Sequence, residues 1–332
     1  MPRQRFNKLG IISSIFVSLI LIVVSLLIVI NKQYIIDQIS VWRYSPTIEI
    51  NSLAERSGID GYGKFLYLAS QPSLDATQNF NDACDRVENI TSILGCYSDY
   101  KIYIYDVTDV QLDGVREVTA AHEMLHAAYA RMSIEEQADL NLLLEAEYGK
   151  LEANNEFSDR MAFYARTEPG QRDNELHSVI GTEVSNIDPE LEAHYDKYFS
   201  DRQKVVALGA KYSSVFQKLE DRANELTAQL NALALSISND SSEYDTDINT
   251  LNSDILSFNF RANNGGFSTM SQFYYERSVL YNRVTNLDAM RVGIVDDISR
   301  YNAILDEYNS NTSQLKKLYS SIDSTLAPVP SV

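Results

Sequence analysis

The sequence predicts an α+β domain followed by an all-α antiparallel coiled-coil hairpin, with one N-terminal transmembrane helix ahead of both. Three observations carry this. Leu9 to Ile30 is an unbroken run without a charged residue. Residues 47–200 mix strand-like alternation with helix-like segments punctuated by glycine and proline. From residue 201 onward the apolar residues fall into heptad-like steps, and no proline occurs before Pro328.

The apolar run comes first. At about 1.5 Å per residue it spans the ~30 Å hydrocarbon core of a bilayer. Arg3, Arg5 and Lys8 precede it and only Lys32 follows closely. The positive-inside rule therefore assigns residues 1–8 to the cytoplasm, 9–30 to the membrane and everything beyond to the outside. A cleaved signal peptide would carry a shorter apolar region and a small-residue cleavage site. "NKQYIIDQISVWRY" supplies no such site, so the run reads as a signal-anchor and residues 31–46 as a juxtamembrane linker. Cys84 and Cys96 then lie in an oxidising compartment and are expected to pair.

In residues 47–200, "TIEINSLAERSGID" opens as a short helix or a strand leading into one, and "KFLYLAS" (64–70) reads as a strand. "LDATQNFNDACDRV" suggests a helix carrying Cys84. "YKIYIYDV" alternates Ile102, Ile104 and Asp106 against Tyr103, Tyr105 and Val107, the clearest strand in the chain. Helices follow: "VREVTAAHEMLHAAYARM" after Asp113-Gly114; a segment opened by the capping box Ser133/Glu136; "NELHSVIGTEV"; and "DPELEAHYDKYF", with Asp188 as N-cap and Pro189 in the first turn.

Residues 201–323 carry two apolar seams. Leu208, Tyr212, Val215, Leu219, Leu226, Leu230, Leu233 and Ile237 step by three, four or seven, and Tyr244 to Phe258 continue the phase. "RANNGGFS" breaks it. A second run contains Leu280, Val284, Leu287, Ile294, Ile298, Tyr301, Leu305, Tyr308 and Leu315. Matched seams around a Gly-Gly turn predict an antiparallel hairpin, a surface for a protein partner. Residues 324–332 read as a disordered tail.

The chemistry concentrates in "HEMLH". His122 and His126 are four apart, so on a helix they share one face and can hold one Zn²⁺ ion together. Glu123, on the adjacent edge, is placed to take a proton from an attacking water and return it to a leaving amine. That division of labour is why the chemistry needs H-E-x-x-H and not merely two histidines. A third ligand must come from elsewhere, and "RDNELHSVIGTEV" offers Glu175, His177 and Glu183. At 100° per residue, Glu175 and His177 point about 200° apart, and Glu183 lies two turns on from Glu175, so one helix presents only one of the three.

"HEMLH" followed by "FYARTEPGQRDNELHSVIGTE" resembles the gluzincin metallopeptidases, and more closely the catalytic domain of the anthrax lethal factor type. The resemblance covers about residues 100–200. It implies a zincin-like fold for residues 47–200, Glu175 as third zinc ligand and Tyr164 as the donor that steadies the oxyanion. The chain differs from that type in carrying "EPGQ" between Arg166-Thr167 and Asn174-Glu175, and Val179 where an acidic residue is usual.

The sequence thus predicts a membrane-anchored zinc metallopeptidase that works outside the cytoplasm on a peptide or protein substrate, held in the bilayer by residues 9–30. The alternative is a cell-envelope coiled-coil scaffold whose zincin-like domain is inactive or structural. Glu123 separates the two, because a structural site has no use for a proton shuttle. Nucleic acid is excluded as a partner. The net charge is −18, from 46 acidic against 28 basic residues, and no basic stripe is present to neutralise phosphates.

Overall fold

The structure, a computed structural model, describes residues 8–84, 93–151, 155–167 and 170–325. The chain divides into two compact units, residues 1–215 with 319–332, and residues 216–318.

The first unit opens with α1 (Lys8–Ile30) and α2 (Lys32–Arg43). Among the described residues no single helix is long and apolar enough to cross a membrane. Phe16–Ile30 and Lys32–Arg43 pass that test together, bent by 73°. The segment expected to be a linker is therefore largely helical, and it is tied to the domain. Asp37 is buried and takes two 2.8 Å hydrogen bonds from the Arg131 guanidinium, which also donates to the Tyr97 hydroxyl and the Ala127 carbonyl. A single acidic residue at a helical position hides this from a reading by composition.

Thr47 caps α3 (Ile48–Ser57) by accepting from the Ile50 amide, and Gly58 ends the helix at φ 79°, a left-handed conformation that favours glycine. "KFLYLAS" belongs to α4 (Gly61–Ala69), not to a strand. Gly63, Leu66 and Tyr67 are buried at helical spacing, and a Cβ on Gly63 would stand 2.2 Å from the Tyr198 carbonyl oxygen. Close backbone contact on one stripe, not aromatic content, decides the segment.

The sheet is small. β1 (Ser73–Asp75), β2 (Gly95–Ser98) and β3 (Lys101–Tyr105) lie in the order β1-β3-β2, with β1 parallel and β2 antiparallel to β3. The predicted alternation holds in β3, where Ile102 and Ile104 are fully buried. Between β1 and β2, α5 (Thr77–Ala83) ends at Cys84, which forms a disulfide with Cys96 on β2.

Under this sheet runs α6 (Val115–Tyr129), with Ala120, Ala121, Ala127 and Ala128 buried. Small side chains let other backbones approach it closely. α7 (Ile134–Leu151) starts with the predicted capping box: the Glu136 amide donates to Ser133 Oγ and the Ser133 amide to the Glu136 carboxylate. Then come α8 (Asn155–Thr167), which no cap or period in the sequence marks as a separate helix, α9 (Arg172–Glu183) and α10 (Pro189–Tyr195), the last capped by Asp188 as expected. Arg202, 3% exposed, closes the end of α9 by donating to the carbonyls of Ile180 and Gly181 in its last turn and of Val184 and Ser185 just beyond it, while pairing with Glu192. Carbonyls that the helix end leaves open thereby gain a charged donor.

Two long helices complete the chain, α11 (Gln203–Asn263) and α12 (Met270–Ile322). Residues 203–215, expected to belong with the hairpin, sit in the first unit, where Val205 and Val206 are buried. Ser324, expected in a disordered tail, is also buried there, its hydroxyl donating to the Ile93 carbonyl. Residues 326–332 lie outside the described residues.

In the second unit the helices run antiparallel and pack together. Arg222 pairs with Glu307 at one end, and Arg283 with Asp254 and Arg261 with Glu276 toward the other. Leu226, Leu230, Leu233, Leu251, Phe258 and Leu287 are buried along the seam. Asn311 donates to the Leu219 carbonyl, a polar contact of the kind that fixes register. Two residues assigned to the seam from sequence, Val284 and Ile298, are instead 46% and 42% exposed.

If α2 belongs to the folded domain, Asp37→Ala strands the Arg131 guanidinium in the interior. A loss of about 3–5 kcal/mol is expected, read by chemical denaturation of the detergent-solubilised chain. An unchanged midpoint would return α2 to the status of a linker.

Candidate metal centre

The site is built where α9 crosses α6. Gly181 permits the crossing, since a Cβ there would lie 2.5 Å from Leu125 Cδ1 and 2.7 Å from Tyr195 Cε1. One turn apart on α6, His122 and His126 bring their Nε2 atoms to 3.0 Å. From the first turn of α9, Glu175 places one carboxylate oxygen 3.4 Å from His126 Nε2 and the other 3.6 Å from His122 Nε2. Ligands at tetrahedral angles and about 2.0–2.1 Å from a central ion stand about 3.3 Å from one another. The two imidazoles and the carboxylate have that spacing, so a metal ion fits the set.

Hydrogen bonds fix which nitrogen of His126 faces the centre. Asn174 Nδ2 donates to Gln171 Oε1, which leaves Asn174 Oδ1 to accept from His126 Nδ1 at 2.9 Å. With Nδ1 protonated, Nε2 of the neutral ring turns its lone pair inward, the tautomer that a metal ligand requires. Ser178, one turn beyond Asn174, adds its hydroxyl 3.3 Å from the same Nδ1. Neither Asn174 nor Ser178 was identified from sequence. Their signal is positional, since both flank Glu175 on the face of α9 that meets α6.

Glu123 belongs to the same group, its carboxylate lying with the two imidazoles inside a 4.8 Å cluster. It is 5% exposed, roofed by β2, where a Cβ on Gly95 would stand 2.7 Å from Glu123 Oε1 and 2.5 Å from Thr119 Cγ2. Glycine at position 95 is what allows the strand to lie over the carboxylate.

The other two residues considered for the third ligand are engaged elsewhere. His177 points away, as its helical offset from Glu175 requires. Its Nε2 is 3.0 Å from His194 Nε2, and Tyr195 stacks on its ring. Burial holds His177 well below 6.5, the neighbouring His194 adding to the effect, and burial brings His194 down to about 4. Glu183, at the far end of α9, pairs with Arg160 of α8. Tyr164, also on α8, packs against the core. Its hydroxyl is pushed well above its ordinary value, first by burial and then by Glu175, Glu183 and Glu123. It therefore stays protonated and able to donate.

The histidines themselves diverge. Burial opposes charge on His122, but Glu175 beside it, with Glu123 and Glu183 adding to the field, prevails and lifts it to about 9. Burial holds His126 below its ordinary value, against the pull of Glu175. One proton is thus retained where the two Nε2 lone pairs meet. No family model, curated protein or solved structure matches the chain.

Because the pKa of His122 is raised to about 9, the residue is charged at pH 7, and an ion that binds its Nε2 must displace that proton. About one proton per ion is expected to be released at neutral pH, with apparent affinity rising roughly tenfold per pH unit and levelling near pH 9. Calorimetric titrations in buffers of different ionisation enthalpy measure both. Release near zero at pH 7, with an affinity independent of pH, would contradict the arrangement.

Proposed function

We propose that the protein is a membrane-anchored zinc metallopeptidase of the gluzincin type that its motif resembles, with the catalytic domain outside the cytoplasm. The observation that carries this is the meeting of H-E-x-x-H on α6 with Glu175 on α9. Two imidazoles and one carboxylate make a three-ligand set that leaves a fourth position open, the pattern of catalytic zinc, whereas structural zinc is closed by four protein ligands. When bound, zinc supplies Lewis-acid polarisation of the scissile carbonyl and a water made nucleophilic near neutral pH.

The chain's own residues supply the rest. Glu123 accepts the proton of the attacking water and delivers it to the leaving amine. Its enclosure under Gly95 holds the carboxylate in one place and keeps bulk water from competing for it. Tyr164, kept neutral, donates to the oxyanion as negative charge develops. β2 is an edge strand, and an extended peptide pairing with its outer edge would carry its backbone past Glu123.

The anchor is supported by α1. Phe16, Leu21, Val29 and Ile30 are each more than 60% exposed on a helix that is apolar all round, a surface suited to lipid rather than water. The Cys84–Cys96 disulfide supports an oxidising compartment.

Glu123→Gln is expected to lower hydrolysis of a mixed peptide library by about 10²–10⁴-fold while zinc binding stays at the parental level. A variant that keeps most of the parent's activity would transfer the function to the scaffold reading. For the topology, protease added outside intact cells should digest residues 33–332. Protection of that region would overturn the orientation.

A further inference from the structure

The second unit has an apolar face that its own hairpin leaves uncovered. Along α12 the side turned toward α11 repeats every seven residues through Phe273, Leu280, Leu287, Ile294 and Tyr301, all buried or partly buried. One residue on from these positions and from the partly buried Glu276, Arg283, Met290 and Asp297, about 100° round the helix, a second heptad pattern is exposed. Its apolar members are Met270, Tyr274, Tyr281, Val284, Val295 and Ile298, between 42% and 72% exposed. The offset of about 100° is the angle at which a helix in a four-helix bundle meets its second neighbour. Val284 and Ile298, which sequence periodicity assigned to the hairpin's own seam, lie on this outer one.

Three charged residues complete the pattern, Arg277, Asp288 and Arg291, and they determine which partner fits. Arg283, Arg291 and Arg300 pair with Asp254, Asp288 and Asp297 of their own chain, the Arg291–Asp288 pair lying within the stripe and leaving one side of Asp288 open to a second cation. Among the described residues Arg277 has no ion pair, although it stands on an apolar stripe. In a parallel pairing of two such stripes, each position would face itself. Arg277 would oppose Arg277 and Asp288 would oppose Asp288, a repulsive arrangement. In an antiparallel pairing the layers become Met270 on Val295, Tyr274 on Arg291, Arg277 on Asp288, and Tyr281 on Val284. Each of these four layers is then apolar, cation over aromatic ring, or of opposite charge, and Ile298 lies beyond the overlap.

We propose that this face of α12 is a docking surface for a second copy of the chain, packed antiparallel about a two-fold axis between residues 282 and 283. The contact covers the part of α12 next to the Gly265-Gly266 turn. Two hairpins therefore overlap near their tips, and their far ends point in opposite directions. The surface is self-complementary, as a two-fold interface requires. It is independent of the metal centre and stands whether or not the protein is a peptidase.

The test uses the full chain in detergent, where Cys84 and Cys96 are already paired and an introduced thiol is alone. Met270→Cys chains mixed with Val295→Cys chains should form a disulfide-linked dimer under mild oxidation. Neither variant alone should do so, because like positions would lie roughly 37 Å apart at about 1.5 Å per residue. Arg277→Asp and Asp288→Arg should each weaken dimerisation about tenfold, and the double variant should return it to within about twofold of the parent. All these positions are exposed, so folding is not at stake. A monomeric parent, a dimer in which Met270→Cys links to itself, a dimer without the 270–295 link, or a double variant no better than the singles would each overturn the proposal.

Discussion

The close crossing of α6 and α9 is the constraint on which the first unit depends. Gly181 on α9 sits against Leu125 of α6 and Tyr195 of α10 with no room for a methyl group. The same crossing sets Glu175 beside His122 and His126, and Asn174 against the far nitrogen of His126. A bulkier residue at position 181 would have to displace the Leu125 side chain and the Tyr195 ring at the same crossing that brings the carboxylate to both imidazoles. Packing and donor geometry are thus one requirement met by one contact. Arg202 reinforces it by closing the end of α9, and Gly95 repeats its logic on the other side, letting β2 settle over Glu123.

Electrostatics in the cluster follow from that burial. Two acidic and two imidazole side chains share a space from which water is largely excluded, so charges there are set by neighbours rather than by solvent. The neighbouring carboxylates favour the protonated form of His122, and burial holds His126 neutral. This is an arrangement with a net negative field and an inward lone pair, suited to a cation. The second histidine pair, His177 with His194, has no such carboxylate support. Its members are kept neutral by burial and bond to each other among tyrosines. Four histidines in the chain therefore divide into a pair with acidic partners and a pair with aromatic ones.

Much of this was legible in the sequence, and the boundary of what was legible has physical causes. The spacing of H-E-x-x-H foretells that both imidazoles share one face of α6. Ile102 and Ile104 show their strand through alternation, Ser133 and Glu136 their helix start through reciprocal hydrogen bonds, and two cysteines pair as their number suggested. Helix geometry also required that Glu175 and His177 face opposite ways. What stayed hidden depends on partners remote in sequence. The segment 64–70 is helical because Gly63 meets the backbone of Tyr198. α2 belongs to the domain because Asp37 meets Arg131, and β2 is a four-residue strand of Gly, Cys, Tyr and Ser with no alternation to read. In the hairpin, a seven-residue period revealed that α12 had a seam but not that it had two, one residue apart.

Whether His122, His126 and Glu175 jointly hold one metal ion is decided by X-ray absorption at the zinc edge of the purified, zinc-loaded chain. One equivalent is expected to bind, with two imidazole nitrogens and oxygen ligands at about 2.0–2.2 Å, and one imidazole is expected to be lost in His126→Ala with no change in His194→Ala. A first shell of three or more imidazoles, a loss of imidazole in His194→Ala, or no stoichiometric zinc would contradict that coordination.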